Sequence, residues 1–241
     1  MTKYINFLKK NIFKTDEYYQ FNLLIDDLKK ISKLEYEHIG IIERSYLYAG
    51  KSIFSPIFNE QKKVSIFDYS FKNFNKNRIG LQKSWLNNSE FNFTKSKYFI
   101  EDNLGKINFK FKKLNCDLIL IPNVLHHCSN FNELVKKVKK SFKFLKYIYI
   151  FDSSIRETHQ FPYDFERQTP SSIEIIMNKN GLKRKHYNDI GNLFDVMLYL
   201  ISQGNELLKK EEHKLISKKI NNLVPYLKEK RQSKKWQHLG R

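Results

Sequence analysis

The sequence predicts an α/β fold, with a parallel β-sheet flanked by helices and further helices added at both ends of the chain. The β-rich runs in the centre are almost continuously apolar, as are parallel strands that are covered on both faces. Helical patterns alternate with these runs, and such alternation is typical of α/β proteins with right-handed crossover connections. At both ends of the chain, apolar residues recur at helical spacing instead.

The N-terminal region predicts an amphipathic helix over residues 16–34. Thr15 precedes it as an N-cap. Asp16 in the first turn and Lys30 in the last turn interact favourably with the helix dipole. The apolar face of this helix comprises Phe21, Leu24, Ile25, Leu28 and Ile31.

Short β-rich runs in the middle of the chain predict the strands of the sheet. They are dominated by Val, Ile, Tyr, Phe and Leu, and most of these residue types are enriched in strands. The runs are SYLY (45–48), KVSIF (63–67), KYFI (97–100), DLILI (117–121) and KYIYIF (146–151).

Helices are predicted on either side of the last strand. Asn130 caps the first, and the second begins at Thr169 and Pro170, a cap followed by proline at the first helical position. Gly181 ends the second helix. The first helix has a stripe of apolar residues for burial, which are Leu134, Val135, Val138, Phe142 and Leu145.

The chain of 241 residues is long enough for one domain with a large core. No glycine- or serine-rich linker interrupts it, and it has no internal repeat. We therefore predict a single domain over residues 1–241, with N-terminal helices in 1–40, the α/β core in 41–191 and a basic helical region in 192–241.

The formal net charge of +19 at pH 7 is compatible with a nucleic-acid or membrane partner. However, Lys, Asn, Ile, Phe and Tyr are all frequent and all have A/T-rich codons, and the lysines are scattered along the chain. We therefore attribute the charge mainly to base composition. The denser lysines near the C-terminus indicate a solvated helix face, with a contact to RNA or to an anionic surface as the alternative.

The cysteine content and the hydropathy pattern indicate the cellular compartment of the protein. Cys116 and Cys128 are the only cysteines, too few for a disulfide scaffold. The N-terminus lacks the apolar core of a signal peptide. No run approaches the roughly 20 apolar residues that span a bilayer. We expect a cytoplasmic protein without a membrane span.

Residues 116–183 carry a resemblance to a known family. The stretch CDLILIPNVLHHCSNFNELVKKVKKSFKFLKYIYIFD resembles the fourth strand, the following turn and helix, and the fifth strand of class I S-adenosylmethionine-dependent methyltransferases. The pattern E-x-H-x-x-P-x-D-x-x-R-x-T-P that follows is similar to a methyltransferase type 11-like subgroup. Its residues are Glu157, His159, Pro162, Asp164, Arg167, Thr169 and Pro170. The resemblance implies a Rossmann-like methyltransferase fold with S-adenosylmethionine as the cofactor.

The turn after the first strand is the first candidate element for cofactor binding. In this fold a glycine-rich turn occupies that place, because a side chain would block the close approach of the ligand. The matching stretch is YLYAGKS at 46–52. Its candidate residues are Tyr48, Ala49 and Gly50.

Polar residues that follow the other strands are further candidates for the cofactor cleft. Asp68 lies eighteen residues after Gly50. An acid at about 20 residues past the turn binds the ribose hydroxyls in dinucleotide folds. The alternative for Asp68 is an ordinary turn residue at a strand end. The resemblance implies an adenine contact for Asp102, and Asn123, just past the fourth strand, is expected to line the same cleft.

The segment between the fifth strand and the next helix is the candidate wall for the methyl acceptor. Methyl transfer needs the nucleophile positioned at about 3–3.5 Å, and a hydroxyl nucleophile also needs a base. His159 is the first candidate base, because imidazole titrates near neutrality. Asp164 is predicted to orient His159 or to replace it, and His127 is the second choice of base.

Basic and aromatic residues of the same segment are candidates for substrate binding. Arg156 and Arg167 are suited to an anionic acceptor, and Tyr163 lies between them in sequence. The alternative for Asp164 and Arg167, three residues apart, is an ion pair that holds the loop. The run HHC at 126–128 does not predict a metal site, because adjacent residues rarely converge on one ion.

The sequence leaves three hypotheses for function open. The first is a methyltransferase for a small-molecule or sugar hydroxyl in polysaccharide or natural-product biosynthesis, as the resembled subgroup implies. The second is an RNA methyltransferase, which the net charge of +19 would favour. The third is a non-catalytic binding protein whose glycine-poor turn no longer admits the cofactor.

Overall fold

The structure is a computed structural model, and it describes residues 26–44, 63–71, 98–152 and 162–189. It also describes the positions 193, 194, 196, 197, 223, 225–227, 229 and 230. The chain forms two compact units, one of residues 1–28 with 187–241 and one of residues 29–186. The strand predicted at 45–48 lies outside the described residues.

The unit of residues 29–186 contains a six-stranded sheet. Its strands are β1 (His38–Glu43), β2 (Lys63–Phe71), β3 (Tyr98–Asp102), β4 (Ile107–Phe109), β5 (Leu118–Pro122) and β6 (Tyr147–Phe151). The spatial order is β4-β3-β2-β1-β5-β6. Neighbouring strands are parallel except β3 and β4, which form an antiparallel pair at one edge.

The predicted fold class is confirmed. Four of the predicted runs form strands within one to four residues of their expected bounds, and the parallel order β3-β2-β1-β5-β6 is Rossmann-like. The central strand β1 was not predicted, because its sequence HIGIIE mixes His, Gly and Glu with isoleucine. All six of its residues are nevertheless buried, since β1 lies between β2 and β5 in the middle of the sheet.

Gly40 lets the central strand pack closely against its neighbours. A Cβ atom at this position would lie 2.5 Å from Cδ1 of Ile119 and 2.9 Å from Cε2 of Phe67. Real Cβ atoms do not approach so closely. The glycine therefore makes room for the large side chains of the flanking strands.

Helix α1 (Phe131–Ser141) packs apolar residues into the core as predicted, but it ends before Phe142 and Leu145, the last two residues of the predicted stripe. The side chain of its N-cap, Asn130, accepts a hydrogen bond from the backbone N–H of Glu133 at 3.0 Å. Phe142 follows the helix and meets Phe67 edge to face, with ring centroids 5.1 Å apart. Leu134, Val135 and Val138 are fully buried.

Helix α2 (Pro170–Lys179) begins and ends where the sequence predicts. The hydroxyl of Thr169 accepts a hydrogen bond from the backbone N–H of Ser172 at 3.2 Å. Gly181 follows the helix with φ +68°, a conformation that favours glycine and closes helix C-termini. Because none of the α2 residues is fully buried, this helix contributes a partly exposed apolar face.

The terminal helices are described only in part. Residues 26–31 are helical, and the chain turns after Ile31, so the helix ends three residues earlier than predicted; residues 16–25 lie outside the description. In the unit of residues 1–28 with 187–241, the described positions between 193 and 230 are helical. No helix within the described part of the chain is long and apolar enough to cross a membrane.

Candidate active site at the carboxyl edge of the sheet

The order of the strands creates a switch point between β1 and β5. From these two neighbouring strands the sheet extends outward in opposite directions, through β2 and β3 on one side and through β6 on the other. Open α/β sheets bind ligands outside the carboxyl ends of the strands at such a point. Here those ends are Glu43, the last residue of β1, with Arg44 directly after it, and Asn123 after β5.

Asp68 lies beside this point on β2. It pairs in register with Glu43, the last residue of β1, and its side chain is partly buried. Burial raises the pKa of Asp68 from 3.8 to about 6, while the positive charge of Arg44 acts in the opposite direction. The strand therefore holds a carboxylate next to the switch point, within electrostatic reach of a guanidinium group.

Asn123 marks the bend where the chain leaves β5. Its φ is +50°, a left-handed conformation that Asn tolerates better than most residues with a side chain. Its backbone N–H donates to the carbonyl of Phe151 at 2.6 Å. The pairing of β5 with β6 thus extends one residue before the chain turns at the edge of the sheet.

Asp152 holds the short turn that follows. This turn is a 3₁₀ helix over Leu125–His127. The carboxylate of Asp152 accepts from the backbone N–H of Leu125 at 2.6 Å and from Nδ1 of His126 at 2.8 Å. Because a carboxylate only accepts, Nδ1 of His126 carries the proton of that bond.

His127 has the same tautomer for a different reason. Its Nδ1 lies 2.6 Å from the carbonyl oxygen of Tyr163, which can only accept. Nδ1 is therefore protonated in neutral His127, and Nε2 carries the lone pair. The rings of His126 and His127 lie 4.1 Å apart, and His127 is 3% exposed. Within the described ranges, no three His, Cys, Asp or Glu side chains could hold a metal ion together.

The acceptor-wall segment, of which residues 162–170 are described, lies against this edge. The backbone N–H of Phe165 donates to the carbonyl of His126 at 2.8 Å. The ring of Tyr163 stacks on the ring of Phe71, the last residue of β2, at 4.2 Å. The guanidinium carbon of Arg44 lies 5.2 Å from the centre of the same Phe71 ring. The segment therefore meets the end of β2 and the turn that follows β5.

Asp164 and Arg167 form the ion pair that the sequence left as an alternative. Nη2 of Arg167 lies 2.9 Å from Oδ2 of Asp164, and a second bond joins Nη1 to Oδ1. The side chain of Asp164 is 2% exposed. This bidentate pair fixes the loop before α2, and the roles of both residues toward a substrate stay predictions.

Asp102 has partners that favour a structural role. The hydroxyl of Tyr69 donates to its Oδ2 at 2.5 Å, and the backbone N–H of Ser129 donates to the same atom at 2.9 Å. The hydroxyl of Ser129 donates to Oδ1. Asp102 is 1% exposed. These bonds tie β3 to the segment that directly follows the Leu125–His127 turn, called the histidine turn below, and they occupy the carboxylate that the resemblance assigns to the adenine.

Two groups of residues remain. The first contains predicted candidates that lie outside the described residues, and the second contains residues at the edge that the sequence did not predict. Tyr48, Ala49, Gly50, Arg156 and His159 lie outside the described residues. Three residues at the edge were not predicted, because each gains its place from a contact distant in sequence. They are Arg44, Phe71 and Asp152.

Comparisons with known proteins add distant structural similarities. No protein-family model matches the chain, and no curated protein matches it. A SAM-dependent methyltransferase from Aquifex aeolicus is 16% identical, with 73% of this chain and 87% of that chain covered and a TM-score of 0.48. The YcgJ protein from Bacillus subtilis is 15% identical, with 66% and 68% covered and a TM-score of 0.44.

The topology itself defines the fold. A parallel core in the order β3-β2-β1-β5-β6, with polar residues at the switch point, is a Rossmann-like arrangement.

Proposed function

We propose that this chain is an S-adenosylmethionine-dependent methyltransferase that acts on a hydroxyl group of a small molecule or sugar. The observation that carries the proposal is the position of Asp68. Its partly buried carboxylate lies on β2, in register with the end of β1, beside the switch point of the sheet. This is where open α/β sheets bind the ribose of a nucleotide cofactor.

The side chains at this edge fit an adenosyl group. Ribose hydroxyls donate hydrogen bonds, and an ionised carboxylate accepts two or more of them. Asp68 supplies such a carboxylate above pH 6, since its pKa is about 6. Asn123 has an amide that both donates and accepts, at the bend after β5. S-adenosylmethionine, when bound, supplies an electrophilic methyl group on its sulfonium.

The chain's own residues then have to position the acceptor and take its proton. Nε2 of His127 carries a lone pair, because Nδ1 donates to the carbonyl of Tyr163, and this makes His127 a candidate base for that proton. His159 stays the first candidate from the sequence. Asp164 is the weaker candidate base, since its carboxylate is paired with Arg167.

Aromatic side chains near the site support an organic acceptor over a simple anion. Tyr163 stacks on Phe71, and Phe165, 39% exposed, lies 5.8 Å from the same ring. Small-molecule sites are mostly lined by apolar and aromatic groups, with few polar groups that fix orientation. Arg167 and Arg156 are the proposed polar contacts for an anionic substituent of the acceptor.

Calorimetric binding of S-adenosylhomocysteine, the cofactor product, tests the proposal. The wild-type protein is expected to bind, and Asp68→Ala to bind about 10-fold or more weakly, because it loses hydrogen bonds to a charged acceptor. Glu174→Ala, an exposed acid on α2 paired with Arg184, is the control and should bind as the wild type does. Absence of binding by folded wild-type protein would refute the proposal and favour a non-catalytic protein.

The acceptor class needs a second measurement. An RNA acceptor would bind with an affinity that falls steeply with salt, because phosphate contacts release counterions. We expect no such salt-dependent binding of RNA. Transfer of a labelled methyl group to nucleotide sugars or free glycans, but not to RNA, is the expected outcome.

A further inference from the structure

Exposed lysines collect on one surface of the unit of residues 29–186, and we call this group the lysine face. Lys136 and Lys140 lie one turn apart on the side of α1 that is turned away from the core. The other members follow α1 or precede β5 in the sequence. The complete lysine face comprises Lys112, Lys113, Lys136, Lys140 and Lys143.

Backbone hydrogen bonds bring the two runs of lysines side by side. The N–H of Leu114 donates to the carbonyl of Ser141 at 3.1 Å, and the N–H of Lys143 donates to the carbonyl of Leu114 at 3.2 Å. Beneath them, the rings of Phe111 and Phe142 lie 6.0 Å apart. Base composition accounts for the number of lysines in the chain, and the fold accounts for their assembly on one face.

Carboxylates neutralise the neighbouring lysines but not those of the lysine face. Nζ of Lys137 lies 3.7 Å from Oε1 of Glu133, and Nζ of Lys146 lies 3.9 Å from Oδ2 of Asp117. Among the residues that the structure describes, no ion pair includes a member of the lysine face. The surface is therefore strongly positive and is suited to an anionic partner.

An exposed aromatic side chain adjoins the lysine face. Phe144 is 51% exposed, and Nζ of Lys143 lies 5.1 Å from the centre of its ring. Aromatic rings beside lysines are typical of proteins that lie on bilayers, because the ring enters the interface while the ammonium groups meet anionic headgroups.

Two features favour a bilayer over a nucleic acid. Bases stack on the faces of aromatic rings, and the ammonium group of Lys143 already covers one face of Phe144. The lysine face also contains no arginine, whose planar fork is the usual group for recognising the phosphates of nucleic acids. Lysine acts as a point charge, which is sufficient for attraction to an anionic surface.

We propose that the lysine face, together with Phe144, binds the surface of a bilayer that contains anionic lipids. The run before β5 and the end of α1 each lead into the start of a parallel strand, β5 or β6. The lysine face therefore lies toward the amino edge of these strands, whereas the candidate active site lies at the carboxyl edge. The inference thus does not depend on the proposed function.

Sedimentation with lipid vesicles tests the inference on the wild-type protein. One set of vesicles is phosphatidylcholine with about 30% phosphatidylglycerol, and the other is phosphatidylcholine alone. We expect binding to the anionic vesicles to be at least about 10-fold tighter, and to weaken as salt rises from about 0.1 M to about 1 M. Equal binding to both vesicles, or no binding to the anionic ones, would overturn the proposal.

Variants assign the binding to the lysine face. Lys136→Gln, Lys140→Gln and Lys143→Gln combined should weaken binding at least about 20-fold, since each lysine near the surface contributes about 5-fold. Arginine at the same three positions keeps the charge and should preserve binding. Lys140→Gln alone is matched with Lys106→Gln, at an exposed lysine between β3 and β4 at the carboxyl edge, which should change binding less than about 2-fold. Unchanged binding by the triple glutamine variant would overturn the assignment.

The contribution of Phe144 is tested separately. Phe144→Ala should weaken binding to the anionic vesicles about 5-fold, because the ring no longer enters the interface. A single-stranded RNA, polyuridylate, is added in a competition experiment and should not displace the protein from the vesicles. Displacement that requires the three lysines of α1 and its end would assign the lysine face to RNA instead and overturn the proposal. The comparison of the two vesicles decides the proposal even if a variant does not fold.

Discussion

The ring of Tyr163 stacks on the ring of Phe71, with centroids 4.2 Å apart and an interplanar angle of 18°. The two residues are more than ninety positions apart in the sequence. The contact fastens the segment that carries the subgroup motif to the carboxyl end of β2. Through Phe71, the proposed acceptor wall and the proposed cofactor side share one aromatic support.

This stack predicts an energetic coupling between its two rings. Phe71→Leu and Tyr163→Leu each lose the stacking, and the double variant should cost less than the sum of the single costs by about 0.5–1.5 kcal/mol. Urea denaturation of the four proteins measures the free energy of unfolding. Phe144→Leu, at a residue 51% exposed, is the control for removing an aromatic ring. Additive costs would contradict the coupling.

The hydrogen bonds of the Asp152 carboxylate are expected to stabilise the histidine turn. Asp152→Ala removes the acceptor of two hydrogen bonds, from Leu125 and His126, and should lower the free energy of unfolding by about 3 kcal/mol. Asp152→Asn keeps one acceptor oxygen and should cost less. Nitrogen-15 NMR of the imidazoles should show His126 protonated at Nδ1 in the wild type. An Nε2-protonated tautomer would contradict the described hydrogen bond.

Gly40 predicts a steric cost at the centre of the sheet. Gly40→Ala should lower the free energy of unfolding by about 1–3 kcal/mol, because the new methyl would overlap Ile119 and Phe67. Ile119→Val removes the nearest atom, Cδ1. The double variant Gly40→Ala with Ile119→Val should therefore be more stable than the two single costs predict. A neutral Gly40→Ala would show that the strands can separate without cost.

The raised pKa of Asp68 predicts that the free energy of unfolding falls as pH rises. This direction is the opposite of the usual contribution of an acid. Its pKa is raised by burial to about 6 in the folded protein, above the ordinary value of 3.8. The unfolded chain therefore loses this proton first, and stability falls as pH rises from about 4 to above 6. The cost of ionisation approaches about 3 kcal/mol at its upper limit, at 1.36 kcal/mol for each unit of pKa.

A neutral replacement separates the stability of Asp68 from its proposed binding role. Asp68→Asn should be more stable than the wild type at pH 8 and similar at pH 4, as measured by urea denaturation. The same variant should bind S-adenosylhomocysteine more weakly at pH 8. Wild-type affinity should rise as pH increases through 6, because the ionised carboxylate is the better acceptor. A destabilised variant at pH 8 would refute the burial cost.

The elements that sequence reasoning found are those whose signals are local. Asn130 bonds a backbone N–H three residues away, and Thr169 does the same at the start of α2. Caps and periodic apolar stripes depend on neighbours within one or two turns, so the sequence carries them directly. Strand β1 was not predicted, because its polar ends and its glycine are not typical of a buried strand, although the strand is entirely buried.

The contacts of the candidate site residues could not be predicted from the sequence. The sequence placed Asp68, Asn123 and the segment after β6 at one edge of the sheet, because parallel strands align their carboxyl ends. It could not assign the partners of Asp102, which are Tyr69 and Ser129. It left Asp164 and Arg167 between an ion pair and a substrate contact, and the structure shows the ion pair.

The sequence by itself determined the α/β alternation, the capped starts of α1 and α2, and the order in which acids follow strands. Only the tertiary structure decided that β1 lies in the middle of the sheet and that Arg44 and Tyr163 meet on Phe71. It also decided that Asp152 holds the histidine turn. The reason is that local preferences involve residues a few positions apart, whereas these contacts join strands and loops that come together only when the whole sheet forms.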